Sequence, residues 1–269
     1  MNKILYVLFF ICVLAGSFNI SNAEVITGRV DEYATNNNNK IIDSKTKNAL
    51  PNAKISIPEL NYTTYSDENG VFRLNVDIKD KTVLFVEHDG YKVFSLTVDN
   101  NVLKNPLKLG IEKSNPFDLQ ISSGIIHLGD NMFSTNSANS SDFRLTAKGE
   151  SYNQTFKMPA LSPSSDVIVK IGTIIGLDTK KAKEAGQNRI HSAYSSPMTV
   201  KVNGIKIGVV ELNGDNVELI VPKNILNETN ELTITTGQNL FQTQYVDFDD
   251  CELANIRIET KEKRFWAKK

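Results

Sequence analysis

Short runs rich in Val, Ile, Thr, Tyr and Phe, each closed off by Asn, Gly, Asp or Pro, recur along this chain. Lys54-Ile-Ser-Ile57, Val71-Phe-Arg-Leu-Asn-Val76 and Thr82-Val-Leu-Phe-Val86 are examples. In the second, Phe72, Leu74 and Val76 alternate with Val71, Arg73 and Asn75, the period-2 pattern of a strand with one buried face. No long stretch carries the 3.6-residue period of a helix. The exception is Asp178 to Gly186 (DTKKAKEAG), which predicts one short helix capped by Asp178 and stopped by Gly186. Many short strands punctuated by turns predict an all-β chain of two β-sandwich domains.

Composition narrows the class further. Across 269 residues, 40% are hydrophobic and 23% charged, which excludes a wholly disordered chain, a collagen and a multi-span membrane protein. Lys and Arg total 30 against 31 Asp and Glu, so no net basic field exists to hold a nucleic-acid backbone. Lys3, the apolar run Ile4 to Gly16 and the small residues Ser21-Asn22-Ala23 predict a signal peptide over 1–23. The run is short for a bilayer span of ~20 residues, so no transmembrane segment is expected after cleavage. Ser17 stands where a lipoprotein signal would carry Cys. The expected location is secreted, periplasmic or cell-surface. Of two Cys, Cys12 would leave with the signal, and Cys251 sits in an apparent strand as an inert buried thiol. A chain without an intrachain disulfide must be held by its core.

Gly110 to Pro116 is polar and turn-rich, and divides a first domain, 24–112, from a second, 117–262; a basic tail occupies 263–269. In the first domain an opening strand at Ile26-Thr-Gly-Arg-Val30 precedes Asp43 to Thr46, then Leu50-Pro-Asn-Ala-Lys-Ile-Ser-Ile57. Tyr65-Ser-Asp-Glu-Asn-Gly-Val-Phe72 and Asp89-Gly-Tyr91 follow. This order resembles the carboxypeptidase regulatory-like, or transthyretin-like, domain, interrupted by an Asn-rich insertion before Asp43. The resemblance implies a small non-catalytic sandwich. Asp67, Asn69 and Gly70 read as a structural turn, with Asp67 and Asn69 bonding local backbone and Gly70 supplying positive φ. The zinc peptidases that accompany this family would need clustered His and Glu; here His88, His127 and His191 stand apart.

In the second domain, Asn203-Gly204 lies between alternating runs and predicts a tight hairpin. Val217 to Pro222, Glu231 to Thr236, Tyr245 to Leu253 and Ile256 to Ile258 read as further strands. The succession is similar to galactose-binding-like jelly-roll domains, with 163–196 fitting least well.

Candidate sites fall in this second domain. Asp247 and Asp249 would share one face of a strand and, with Asp130, could hold a structural calcium, which takes six to eight oxygens. Solvated acids on an exposed strand are the ordinary alternative. Tyr152, Tyr194 and Tyr245, with Phe241 nearby, offer aromatic faces among polar neighbours, the combination that binds sugars; core or rim packing is the alternative for each. The tail from Lys261 to Lys269 places Phe265 and Trp266 among five basic residues, suited to an anionic surface or to a solvated terminus. No nucleophile elbow, phosphate loop, dinucleotide fingerprint or zinc-ligand cluster is present.

The expected function is therefore that of an exported, non-catalytic protein. The second domain would recognise carbohydrate or a cell-envelope polymer with no required cofactor. The alternative is a structural or adhesion protein that contacts protein partners.

Overall fold

The computed structural model describes residues 38–133, 137–138, 143–158, 165–188 and 194–262. The expected signal segment, the opening strand at 26–30, His191 and residues 263–269 lie outside the described residues.

The fold is all-β, and the described residues form fifteen strands in four sheets. The first module holds β1 (Asn39–Asp43), β2 (Lys54–Ile57), β3 (Tyr62–Tyr65), β4 (Val71–Phe72), β5 (Thr82–Glu87), β6 (Phe94–Val98) and β7 (Lys108–Ile111). One sheet runs β4-β1-β7, with β1 and β7 parallel, and the other runs β3-β2-β5-β6. Between them Ile41, Ile55, Ile57, Phe72, Leu84, Val86, Leu109 and Ile111 are buried. Each such side chain removed from water contributes about 1.5–3 kcal/mol before conformational entropy is charged.

The turn before β4 forms as its residues require. Asp67 Oδ1 accepts the N–H groups of Asn69 at 2.9 Å and Val71 at 2.8 Å. Gly70 has φ +74°, and a Cβ there would stand 2.5 Å from the Ile41 carbonyl. The strand then stops at Phe72, so the alternation through Val76 continues outside any strand.

The second module holds β8 (Leu119–Leu128), β9 (Ser151–Lys157), β10 (Ser165–Ile175), β11 (Met198–Val202), β12 (Ile205–Val210), β13 (Gly214–Val221), β14 (Thr229–Thr235) and β15 (Cys251–Glu262). Its sheets run β13-β10-β15-β8 and β12-β11-β14-β9. The core between them includes Val167, Val169, Ile171, Met198, Val200, Leu232, Ile234, Leu253, Ile256 and Ile258. Asn203 and Gly204, at φ +52° and +76°, form the tight turn joining β11 to β12.

Two local expectations are corrected. The helix α1 covers only Lys180–Glu184, and its cap is Thr179, whose hydroxyl accepts the Ala182 N–H. Asp178 is wholly buried and turned to other partners. The predicted strand from Tyr245 to Leu253 begins only at Cys251, and Ile256 to Ile258 belong to that same strand. Residues 245–250 are instead the returning arm of a loop, because Asp249 donates its N–H to Gly237 and Asn239 donates to Asp247.

The modules are stacked rather than strung apart. β6 lies across β10, β13 and β15, so the central strands β10 and β15 are buried on both faces over most of their length. Val83, Phe85, Ile175 and Ala254 form a small apolar seam there. Beside it the Thr173 and Ser95 hydroxyls share a hydrogen bond at 2.9 Å, and Asn255 Nδ2 donates to the Val93 carbonyl at 2.8 Å. Gly172 makes the approach possible, since a Cβ there would meet Ser95 Oγ at 2.3 Å. Lys92 closes the edge by pairing with Asp118 at 2.9 Å and Glu259 at 3.5 Å.

Candidate functional site

The loop between β14 and β15, residues 236–250, carries an unusual surface for its length. Leu240 and Val246 are 61% and 59% exposed, Phe241 is 59% exposed and Tyr245 41%. Amide side chains alternate with them in Gln238, Asn239, Gln242 and Gln244. Together with Thr243, Tyr245 and Val246, these amides line a shallow concavity of ≈ 340 Å³.

The loop is an ordered projection held by specific hydrogen bonds. Its two arms meet where Gln238 bridges Phe248, and Asn239 Oδ1 accepts the Phe241 N–H at 2.9 Å. The neighbouring segment is tied in by Leu240, whose N–H donates to the Tyr194 carbonyl at 2.6 Å, and by Ser196, which donates to Gln238 at 2.8 Å. This places the Tyr194 ring edge-to-face with Phe241, centroids 5.1 Å apart and planes at 88°. The Lys183 ammonium sits over the Tyr194 ring, 4.5 Å from its centroid.

Beneath the loop lie five aspartates, Asp130, Asp178, Asp247, Asp249 and Asp250. They act as acceptors for the backbone around them. Asp247 Oδ2 takes the Ala138 N–H at 2.9 Å and the Asn239 amide at 2.7 Å. Asp130 takes Met132 at 3.0 Å and Phe248 at 2.8 Å. Asp249 takes the Asp178 N–H at 3.0 Å and the Ser195 hydroxyl. Asp250 Oδ1 takes Asn131 N at 3.1 Å and faces His127 Nε2 at 2.9 Å.

Crowding carboxylates in a dry interior shifts their protonation. Burial, reinforced by Asp178, pushes Asp249 well above the carboxylate range. Burial pushes Asp178 up to about 7, against the nearby Lys183 ammonium, whose own affinity for protons burial lowers. His127 is held above its ordinary value because Asp250 and the Leu145 carbonyl outweigh the opposing effect of burial.

Of the candidate residues, Tyr194 and Tyr245 flank the exposed loop together with Phe241. Tyr152 lies in β9, half-buried against the core of the second module, opposite Ile234. Asp130, Asp247 and Asp249 lie in one buried group, but not on one strand face, since residues 247–250 precede β15. One oxygen each of Asp178, Asp247 and Asp250 lacks a hydrogen-bond donor, the kind of atom a cation takes. Yet among the described residues no three His, Cys, Asp or Glu side chains gather so as to hold a metal ion. Sequence reading missed Asp178, the His127–Asp250 pair and the Gln-rich lining. The last was visible as the run of uncharged polar and apolar residues from Gly237 to Val246.

The fold is thus a pair of stacked β-modules, with an exposed aromatic and amide loop on the second. Residues 40–119 match the family of CarboxypepD_reg-like domains, starting after the expected residue 24 and ending past the expected residue 112. No match was found among curated proteins. Among solved structures, a Bacteroides uniformis protein provisionally named as carbohydrate binding is similar at 11% identity, over 84% of this chain and 97% of that one, with a TM-score of 0.21. Dimeric latent PorU from Porphyromonas gingivalis is similar at 12% identity, over 81% of this chain and 22% of that one, with a TM-score of 0.23. Among the described residues no helix is long and apolar enough to cross a membrane.

Proposed function

We propose that this chain is an exported, non-catalytic binding protein that recognises carbohydrate or a related hydroxyl-rich polymer of the cell envelope. The carrying observation is the loop at 236–250, where the Tyr194–Phe241 ring pair and Tyr245 stand beside a concavity lined by Gln238, Gln242 and Gln244. An aromatic face stacks on the apolar face of a sugar ring, and amides both donate to and accept from its hydroxyls. Rigid mounting matters equally, because ordering a loop on binding costs affinity. We infer further that the second module is a jelly roll. Numbering its strands one to eight, the sheet orders 6-3-8-1 and 5-4-7-2 support that reading. The first module then serves as a rigid base.

A second reading has support in the same loop, since Leu240, Phe241 and Val246 would also suit a protein partner. The test is a glycan and envelope-polysaccharide array probed with the chain from Glu24 onward and with its Phe241→Ala variant. Saturable binding that the variant loses upholds the carbohydrate reading. A chain that captures no glycan sinks it and leaves the protein-adhesion reading.

A further inference from the structure

The second module has four sheet edges, β12 and β13 on one side and β8 and β9 on the other. An open edge offers unpaired N–H and C=O groups to any passing strand, and three of these four carry features that refuse one. β12 is bulged opposite Val200 and Lys201. β13 is interrupted at Asn216, with φ +58°, and its Glu218 is held by Lys170 and Lys261. β8 slips in register against β15 around Ile256, and its far end is already paired, since Lys148 donates its N–H to the His127 carbonyl and Gly129 donates to Gly149.

β9 carries none of these. It pairs with β14 along all 7 of its residues without a break, from Ser151 opposite Thr235 to Lys157 opposite Thr229. The orientation of this ladder follows from its ends, where Met158 donates to the Glu228 carbonyl and Thr236 to the Glu150 carbonyl. Even-numbered residues therefore face β14, and the N–H and C=O of Ser151, Asn153, Thr155 and Lys157 point away from it. Among the described residues those groups have no backbone partner, and their one contact is the exposed Gln154 amide on the Thr155 carbonyl at 3.1 Å. The adjacent edge, β8, adds little bulk, since its middle is Ser122, Ser123 and Gly124, with open space around Gly124.

The sequence of β9 is complementary to itself. When two copies lie antiparallel with Gln154 opposite Gln154, Asn153 meets Thr155, Tyr152 meets Phe156 and Ser151 meets Lys157, each twice. Odd residues then face odd residues, so every outward N–H and C=O finds a partner. Tyr152 and Phe156 both pack on the core side of β9, so their cross-strand contact would carry the core of one copy into the other. Lys157, the only charge in the strand, is sent to the two ends, away from its symmetry mate.

We propose that the chain forms a two-fold symmetric dimer by antiparallel pairing of β9 with β9 of a second copy, joining two four-stranded sheets into one. The union consumes both regular edges and leaves the bulged β12 at each end, so assembly stops at two. The dimer is independent of the carbohydrate reading. Because β9 runs oppositely in the two copies, their aromatic loops, which follow Thr235, would project from opposite ends of the joint sheet.

The test is sedimentation equilibrium on the chain from Glu24 onward and on two variants. Gln154→Lys sets like charges face to face on the symmetry axis. Asn153→Pro removes an outward N–H and spares the β14 ladder, a place where an edge strand accepts proline. The expected mass is that of a dimer, and each variant should weaken association about tenfold or more with an unchanged circular dichroism spectrum. A third variant, Gln154→Cys, reads the register. Its two Cα atoms would lie about 4.5 Å apart across the axis, within disulfide reach, so mild oxidation should yield a covalent dimer. Cys251 is buried and does not compete. A chain that sediments as a monomer throughout its soluble range overturns the proposal. So does a dimer that either variant leaves intact, or one whose Gln154→Cys form stays uncrosslinked.

Discussion

Asp215 in the second module accepts both the backbone N–H and the hydroxyl of Thr97 in the first, at 3.0 Å each. The same oxygen also receives Thr173, so one carboxylate ties β6, β10 and β13 together. Removing it leaves the Thr97 N–H without its partner in a partly closed seam.

Asp215→Ala is therefore expected to lower unfolding free energy by about 1–3 kcal/mol, read from the urea midpoint by circular dichroism. Because the seam joins both modules, the loss should appear in a single transition. A separate early step confined to one module would show that the two unfold independently.

Stability should fall as pH rises across the neutral range. Burial, with the Glu59 carboxylate adding to it, pushes Glu252 up to about 8 from 4.5, and burial pushes Asp178 up to about 7 from 3.8. In this window the folded chain keeps protons that the unfolded chain has lost, so the stability they contribute below pH 4 drains away up to about pH 8. His127 acts in the same direction, its contribution present below 6.5 and lost as pH passes its raised folded value. Asp43, lowered to about 2 by the Thr46 N–H and the Tyr91 hydroxyl, works in the opposite sense and only in acid below its ordinary 3.8. The urea midpoint at about pH 5.5 should exceed that at about pH 8.5, and Glu252→Gln should flatten the difference. An unchanged slope in that variant would remove Glu252 from the account.

The aromatic loop should depend on the carboxylate beneath it. Asp247→Ala deletes the acceptor shared by Ala138 and Asn239 and should loosen residues 238–246. Limited proteolysis should then cut within that segment well before the rest of the chain, while the wild type resists there. Equal cutting rates would mean that the remaining backbone hydrogen bonds suffice.

Thr179→Ala should cost about 0.5–2 kcal/mol, because its hydroxyl caps α1 through Ala182 and also donates to the Glu211 carbonyl. Asp178→Asn, by contrast, touches no cap, and thermal melts of the two variants at pH 7 compare the roles directly.

Where a residue acts through its immediate neighbours, its place was legible in sequence. Asp67, Asn69 and Gly70 form the turn that their backbone preferences require, and Asn203-Gly204 forms the hairpin. Legibility failed where a second layer covers a strand. Cys251 to Glu259 are all buried, so polar Asn255, Arg257 and Glu259 occupy positions that look solvent-facing but meet the first module. It failed again at Tyr245 to Asp250, whose strand-like composition is overridden by hydrogen bonds to Gly237 across the loop and to Ala138, far earlier in the chain. The pairing of Tyr194 with Phe241 is of the same kind, set by a backbone contact that no local pattern records.

β15 lies between β8 and β10 and is sealed on both faces, by the core of its own module and by the first module. Among the described residues it is the last strand to be synthesised. Until it is available, β8 and β10 each present an open edge to whatever strand comes near, and the apolar seam has no second wall. The chain therefore passes through a long interval in which most of its sheet is built and none of its closure is. Any agent that holds it during that interval must shield those two edges, and must let go only when β15 arrives.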